Sequence, residues 1–254
     1  MIKRLLSAAF VAGFLAAVVA TGLQLVLTTP LILEAETYEG QASLAQGADR
    51  PPIVLAHVVL AHVVHAHVVP THGGEHADGE EPDAWQPGEG LPRMAFTGLA
   101  TLLGGIGYAL LLGAVMLALR REPTLPSGLA FGIAGFAVLA LAPAIGLPPE
   151  LPGMPAAPLG QRQAWWIATV LASGVGLYLI AVRRSGFAIV AGVALIVAPH
   201  LVGAPHAAGE TKLPAVLATQ FAARSLAISF VLWALLGLFF GWAWNLFGEK
   251  RADA

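Results

Sequence analysis

Cysteine is absent from this 254-residue chain. Disulfides, thiolate zinc sites, cysteine-held iron–sulfur clusters and cysteine nucleophiles are therefore excluded. The same absence leaves the redox compartment undetermined. Any metal site must use nitrogen and oxygen donors, with thioether from four methionines at most. Charge is also scarce: 11% of residues are charged and 57% are hydrophobic, whereas soluble domains average about a quarter charged. Mean hydropathy is +0.76. Too few polar residues remain to cover a globule in water, so lipid is the expected solvent for much of the surface. A net charge of −2 gives no footing for a nucleic-acid partner. No GxxxxGK[ST], HExxH or GxSxG occurs. That excludes nucleotide binding through a P-loop and weakens protease and esterase readings.

A helix needs about 20 apolar residues to cross a hydrocarbon core of about 30 Å. Six runs are candidates: Leu5 to Leu27, Met94 to Leu119, Leu125 to Leu147, Ala164 to Val182, Gly186 to Val202 and Leu226 to Phe247. The fifth is short. The chain is predicted to be an all-α integral membrane protein of about six transmembrane helices, with one long His-rich outer loop. Lys3 and Arg4 ahead of an apolar run also fit a signal peptide, whose cleavage would leave five spans. The run continues to Leu27, longer than a usual signal core, which favours an uncleaved span. Three regions follow: residues 1–36 as the first span and its outer end, 37–93 as a His-rich acidic loop, and 94–254 as a five-helix bundle.

Orientation follows from the cations. Lys3, Arg4, Arg120, Arg121, Arg183, Arg184, Lys250 and Arg251 fall on one side; Arg50, Arg93, Arg162 and Lys212 are spread over the longer loops of the other. The first set is expected inside, with both termini cytoplasmic. Trp165 and Trp166 are expected at the outer interface and Trp242 and Trp244 at the inner one, as an aromatic belt.

Six of the eight histidines lie in the first outer loop: His57, His62, His65, His67, His72 and His76. The tract repeats Leu55-Ala-His-Val-Val, Leu60-Ala-His-Val-Val and His65-Ala-His-Val-Val, so repeat expansion without a ligand role is one reading. It is expected to be largely poorly ordered. The other reading is metal capture, because neutral imidazole suits zinc, copper, nickel, iron and cobalt. Glu75, Asp78, Glu80 and Glu81 add oxygen donors.

A second group gathers once the topology is drawn. Three inside-to-outside spans end in polar, proline-marked segments: Gln24 then Thr29-Pro30-Leu-Ile-Leu-Glu34-Ala-Glu36; Pro143 then Gly146-Leu-Pro-Pro-Glu150-Leu-Pro-Gly-Met154; and Pro199-His200-Leu-Val-Gly-Ala-Pro205-His206. Gln220 and Arg224 approach on one face of the last span. Carboxylates, imidazoles and the Met154 thioether at a common depth suit a divalent ion. Glu34, Glu36, Glu150, Met154, His200 and His206 are the candidate ligands, and Glu34, Glu150 and His200 are expected to line one site with Arg224 close by. Each has a structural alternative: Glu34 and Glu36 in water, Pro143 and Pro199 as packing kinks, Arg224 snorkelling or paired with Glu150. Gly128-Leu-Ala-Phe-Gly132 and Gly237-Leu-Phe-Phe-Gly241 fit the small-xxx-small pattern of close helix contact.

The sequence resembles the CbtA family, the predicted membrane subunit of a bacterial cobalt transporter. The matching stretches are Pro30-Leu-Ile-Leu-Glu34-Ala-Glu36, Leu141-Ala-Pro-Ala-Ile-Gly-Leu-Pro-Pro-Glu150-Leu-Pro-Gly-Met154, Arg162-Gln-Ala-Trp-Trp166 and Pro199-His200-Leu-Val-Gly-Ala-Pro205. The resemblance implies a multi-pass protein of the cytoplasmic membrane that imports cobalt for cobalamin synthesis. It implies a small one-span, histidine-bearing partner (CbtB-like), the divalent metal as cargo, and no tightly bound cofactor. The long histidine loop is an elaboration outside the resemblance. Nitrogen and oxygen donors do not separate cobalt from nickel or zinc. A membrane scaffold or enzyme is the reading from another class, and no base–nucleophile spacing supports the enzyme.

Overall fold

The computed structural model describes residues 1–45, 90–207, 209, 211 and 213–249. The histidine tract and its expected disorder lie outside these residues. Within them the chain forms helices α1 (Ile2–Leu27), α2 (Thr29–Ala45), α3 (Leu91–Ala118), α4 (Leu125–Gly146), α5 (Leu159–Arg183), α6 (Gly186–Val202) and α7 (Ala215–Glu249), and no strand. Five helices, α1, α3, α4, α5 and α7, are long and apolar enough to span a membrane; α6 is a shorter apolar helix of 17 residues. The protein is an all-α membrane protein, as the apolar runs imply.

Helix α7 is the centre. It packs α1 on one side and α4 on the other, α3 lies against α1, and α5 pairs with α6. Lipid offers no hydrophobic drive between helices, so close approach of small residues must hold them. Helix α1 supplies a stripe of buried alanines, Ala8, Ala12, Ala16 and Ala20, at four-residue spacing. Gly13 sits so close to α3 that a Cβ there would lie 2.6 Å from the Ile106 backbone. The two glycine motifs pack against each other: Gly128 faces the Gly237 carbonyl, Gly132 the Trp233 carbonyl, and Gly241 the Thr124 carbonyl. Gly176 and Gly192 do the same between α5 and α6, where an added Cβ would lie 2.6 Å from the opposing carbonyl oxygen.

Arg4 fixes one end of the bundle. Its Nε donates to the Trp244 carbonyl at 2.6 Å and its guanidinium lies 4.3 Å from the Trp244 ring centre. Thr124, at the start of α4, meets Gly241 at this same end. Helix α5 then returns antiparallel to α4, bringing Arg183 and Arg184 to the basic end. The opposite end is called distal below.

Several elements differ from the sequence expectation. The segment read as loop from Thr37 is helical to Ala45. Leu31, Ile32 and Ala35 of this helix pack on Leu151, Leu213, Leu217 and Phe221, a long-range support that no sequence window contains. Helix α7 likewise starts at Ala215, ahead of the apolar run, because Leu217 and Phe221 join that same cluster. Helix α4 carries a π turn at Ala137–Leu141. Pro143 just beyond has no N–H to donate and its ring crowds the preceding turn, so the helix widens there. Trp165 and Trp244 are buried rather than at the lipid interface: one packs inside the distal end and the other is held by Arg4. Trp242 is exposed, as a belt residue should be.

Candidate metal site

The α1–α2 junction shows how the distal end accommodates irregular backbone. Pro30 supplies no N–H to the turn before it. The Thr28 and Thr29 hydroxyls fold back on the Gln24 carbonyl at 3.0 and 3.2 Å. Arg224 Nη1 donates to the Leu27 carbonyl at 2.9 Å. Arg224 thus satisfies a backbone group exposed by the break, which matters where no water is available. The Gln24 side chain is buried, and its Oε1 accepts from the Thr101 hydroxyl of α3 at 3.2 Å.

The distal carboxylates are held by arginines. Glu36 Oε1 lies 2.7 Å from Arg93 Nη2, and Glu150 Oε2 lies 3.0 Å from Arg162 Nη2. Glu34 is exposed on α2. Burial raises the Glu150 pKa above the ordinary carboxylate value, and the Arg162 guanidinium only partly offsets it. The ion pair and the upward direction are compatible, because loss of hydration outweighs one neighbouring cation. As pH falls, Glu150 therefore takes a proton sooner than an ordinary carboxylate and loses its hold on cations. Met154 is occupied: its thioether accepts from the Leu151 N–H at 3.3 Å, and its side chain packs on the Leu151 cluster.

Around Trp165 three helix ends converge. A Cβ on Gly146, closing α4, would lie 2.5 Å from the Trp165 ring and 2.8 Å from Ala204. Trp165 Nε1 donates to the Pro199 carbonyl at 3.3 Å, and its ring meets His200 edge-on at 5.9 Å between centroids. Arg162, the ion-pair partner of Glu150, lies one turn before Trp165 on α5, and His200 near the end of α6 meets the Trp165 ring. Both His200 ring nitrogens are buried without a hydrogen-bond partner. His206 is exposed beyond Pro205.

Glu150 and His200 thus each have a partner on the first turns of α5, Arg162 and Trp165, while Glu34 and Glu36 lie on α2. Among the described residues, no three of His, Asp or Glu gather as ready metal ligands. His57, His62, His65, His67, His72 and His76 lie outside the described residues. Some polar residues of interest were not singled out from sequence. Thr169 and Ser173 continue the buried face of α5 below Trp165, and Ser173 Oγ is buried without a partner. Their signal was the four-residue spacing from Trp165, which places all three on one helix face.

A family model described as "Probable cobalt transporter subunit (CbtA)" matches residues 2–245. The chain belongs to the CbtA family. No curated protein and no solved structure matches it. Membership makes this CbtA chain a multi-pass subunit of a probable cobalt transporter, with a metal ion as cargo and at least one partner implied by the word subunit. Transport, rather than catalysis, is the activity that the family description suggests.

Proposed function

We propose that this chain admits cobalt(II) from outside the cell at the Trp165 corner and passes it inward along the α5–α6 hairpin, supplying cobalamin synthesis in a bacterium. The basic end, with both termini, faces the cytoplasm of the inner membrane, and the distal end faces outward. A small one-span, histidine-bearing subunit completes the transporter.

One observation carries this reading. Among the described residues, the buried side-chain polar atoms without a partner are Ser173 Oγ and the two nitrogens of His200, and all lie in one helical hairpin. Leaving such groups unpaired costs free energy, so they call for a ligand, and neutral imidazole is a good donor for cobalt. A cation entering low dielectric loses hydration and needs charge or lone pairs in return. Glu150 supplies the charge and His200 the nitrogen. Glu34 and Glu36 on α2 and the exposed His206 draw cations toward the corner by charge and weak ligation. The six loop histidines act before them as a capture device.

Uptake of radiolabelled cobalt by cells with and without the chain tests the function directly. Uptake should appear only with the chain and should be competed by unlabelled cobalt more strongly than by nickel or zinc. Stronger competition by nickel or zinc would reassign the cargo. Unchanged cobalt accumulation with the chain and its partner both present would remove the transport reading. Deletion of residues 57–76 should slow uptake at low cobalt and leave the saturated rate unchanged. A slower saturated rate would place the histidines in the path instead.

A further inference from the structure

We propose that Arg162 is the counter-ion that an entering divalent cation must displace from Glu150, and that it thereby sets the concentration at which the site fills. This rests on the reading that Glu150 receives the cation.

The position of Arg162 is the first argument. It lies in the opening turn of α5, where the helix dipole presents partial positive charge and disfavours a cation. The free groups at a helix start are N–H donors, and a guanidinium has no acceptor to offer them, so Arg162 is not there to satisfy the helix end. Its described ion-pair partner is Glu150, at 3.0 Å. The glutamate side chain is 20% exposed and the arginine side chain 31%. A carboxylate this covered needs a counter-charge at all times, because little water remains to solvate it. A guanidinium held at an accessible rim is a provisional one. Ion pairs at a protein rim are typically worth about a fivefold change in an equilibrium, so they yield to a stronger competitor.

The same device occurs at Glu36. Arg93 also stands in the first turn of an incoming helix, α3, and holds a glutamate of the preceding segment at 2.7 Å, with both side chains about one-fifth exposed. Two glutamates in this part of the fold are therefore covered by cations that face an unfavourable helix end. Exchange of guanidinium for a divalent ion keeps each carboxylate neutralised throughout, so no bare charge is created. A monovalent ion brings no more charge than the guanidinium and none of its directed hydrogen bonds, so the exchange favours divalent ions.

Initial rates of cobalt uptake against cobalt concentration, per membrane-inserted protein, test this. Arg162→Gln should lower the half-saturating concentration about fivefold with the saturated rate maintained or reduced. Arg162→Lys, which keeps a charge without the fork, should shift it less in the same direction and serves if the glutamine variant inserts poorly. A half-saturating concentration that is unchanged or higher in both variants would overturn the proposal and leave Arg162 as a structural tie. Glu150→Gln, run in parallel, separates this from the underlying reading. Lost uptake in Glu150→Gln with no shift in the arginine variants refutes the counter-ion role alone; full uptake in Glu150→Gln refutes the cation site itself.

Discussion

Gly237→Ala should destabilise this protein, whereas Gly107→Ala should leave it unchanged or slightly more stable. The two substitutions add the same methyl group to a helix interior. At Gly107 nothing lies within 4 Å of the new Cβ, so the gain in helix propensity stands alone, about 0.5–1 kcal/mol. At Gly237 the Cβ runs into the Gly128 carbonyl oxygen and carbon, and a contact at 3.1 Å follows on Gly132. These are backbone atoms, so relief requires α4 and α7 to separate. Overpacking of this kind costs about 1–3 kcal/mol, and it falls on the contact that ties α4 to the central helix. Thermal unfolding in detergent should show opposite signs for the two variants, with Gly237→Ala several degrees lower. Equal melting temperatures would mean that α4 and α7 are not in close backbone contact.

His200→Leu should raise stability and lower cobalt uptake in the same molecule. Both ring nitrogens are buried without a partner, and an unsatisfied buried polar group costs about 1–3 kcal/mol. An apolar side chain of similar length removes that cost and keeps the contact with Trp165. If His200 only filled space, leucine would be as good or better in every respect. A ligand role predicts the divergence: a higher melting temperature with uptake per inserted protein reduced at least tenfold. Stability and uptake rising together, or falling together, would count against the ligand role.

The spans were legible because a crossing helix requires a long apolar run, and few other structures produce one. The glycine motifs were also visible as small-xxx-small pairs, but not that Gly128 and Gly237 would face each other, since that depends on which helices are neighbours. The polar extension of α2 was missed for the same reason: the helix it continues is anchored through Leu31, Ile32 and Ala35 on Leu151, Leu213 and Phe221, far away in sequence. Trp165 shows a limit of a positional rule. A tryptophan near a helix end fits an interface belt or an interior anchor equally well, and its partner Pro199 decides for the anchor. Glu34, Glu36, Glu150 and His200 were singled out as out-of-place polar groups near prolines. Arg93 and Arg162, the partners of Glu36 and Glu150, were counted only as charges for orientation, because the pairing of Glu36 with Arg93 spans 57 residues. Arg224 was considered as a partner for Glu150 and instead caps the Leu27 carbonyl, a need that arises only once Pro30 has broken α1.

The central claim is that a cation passes the Trp165 corner by way of Glu150. The most direct measurement is the initial rate of labelled cobalt uptake, normalised to membrane-inserted protein, for Glu150→Gln beside the unaltered chain. The glutamine keeps the shape of the side chain and removes its charge. A fall of at least tenfold with insertion unchanged is the predicted result, and equal normalised rates would contradict it.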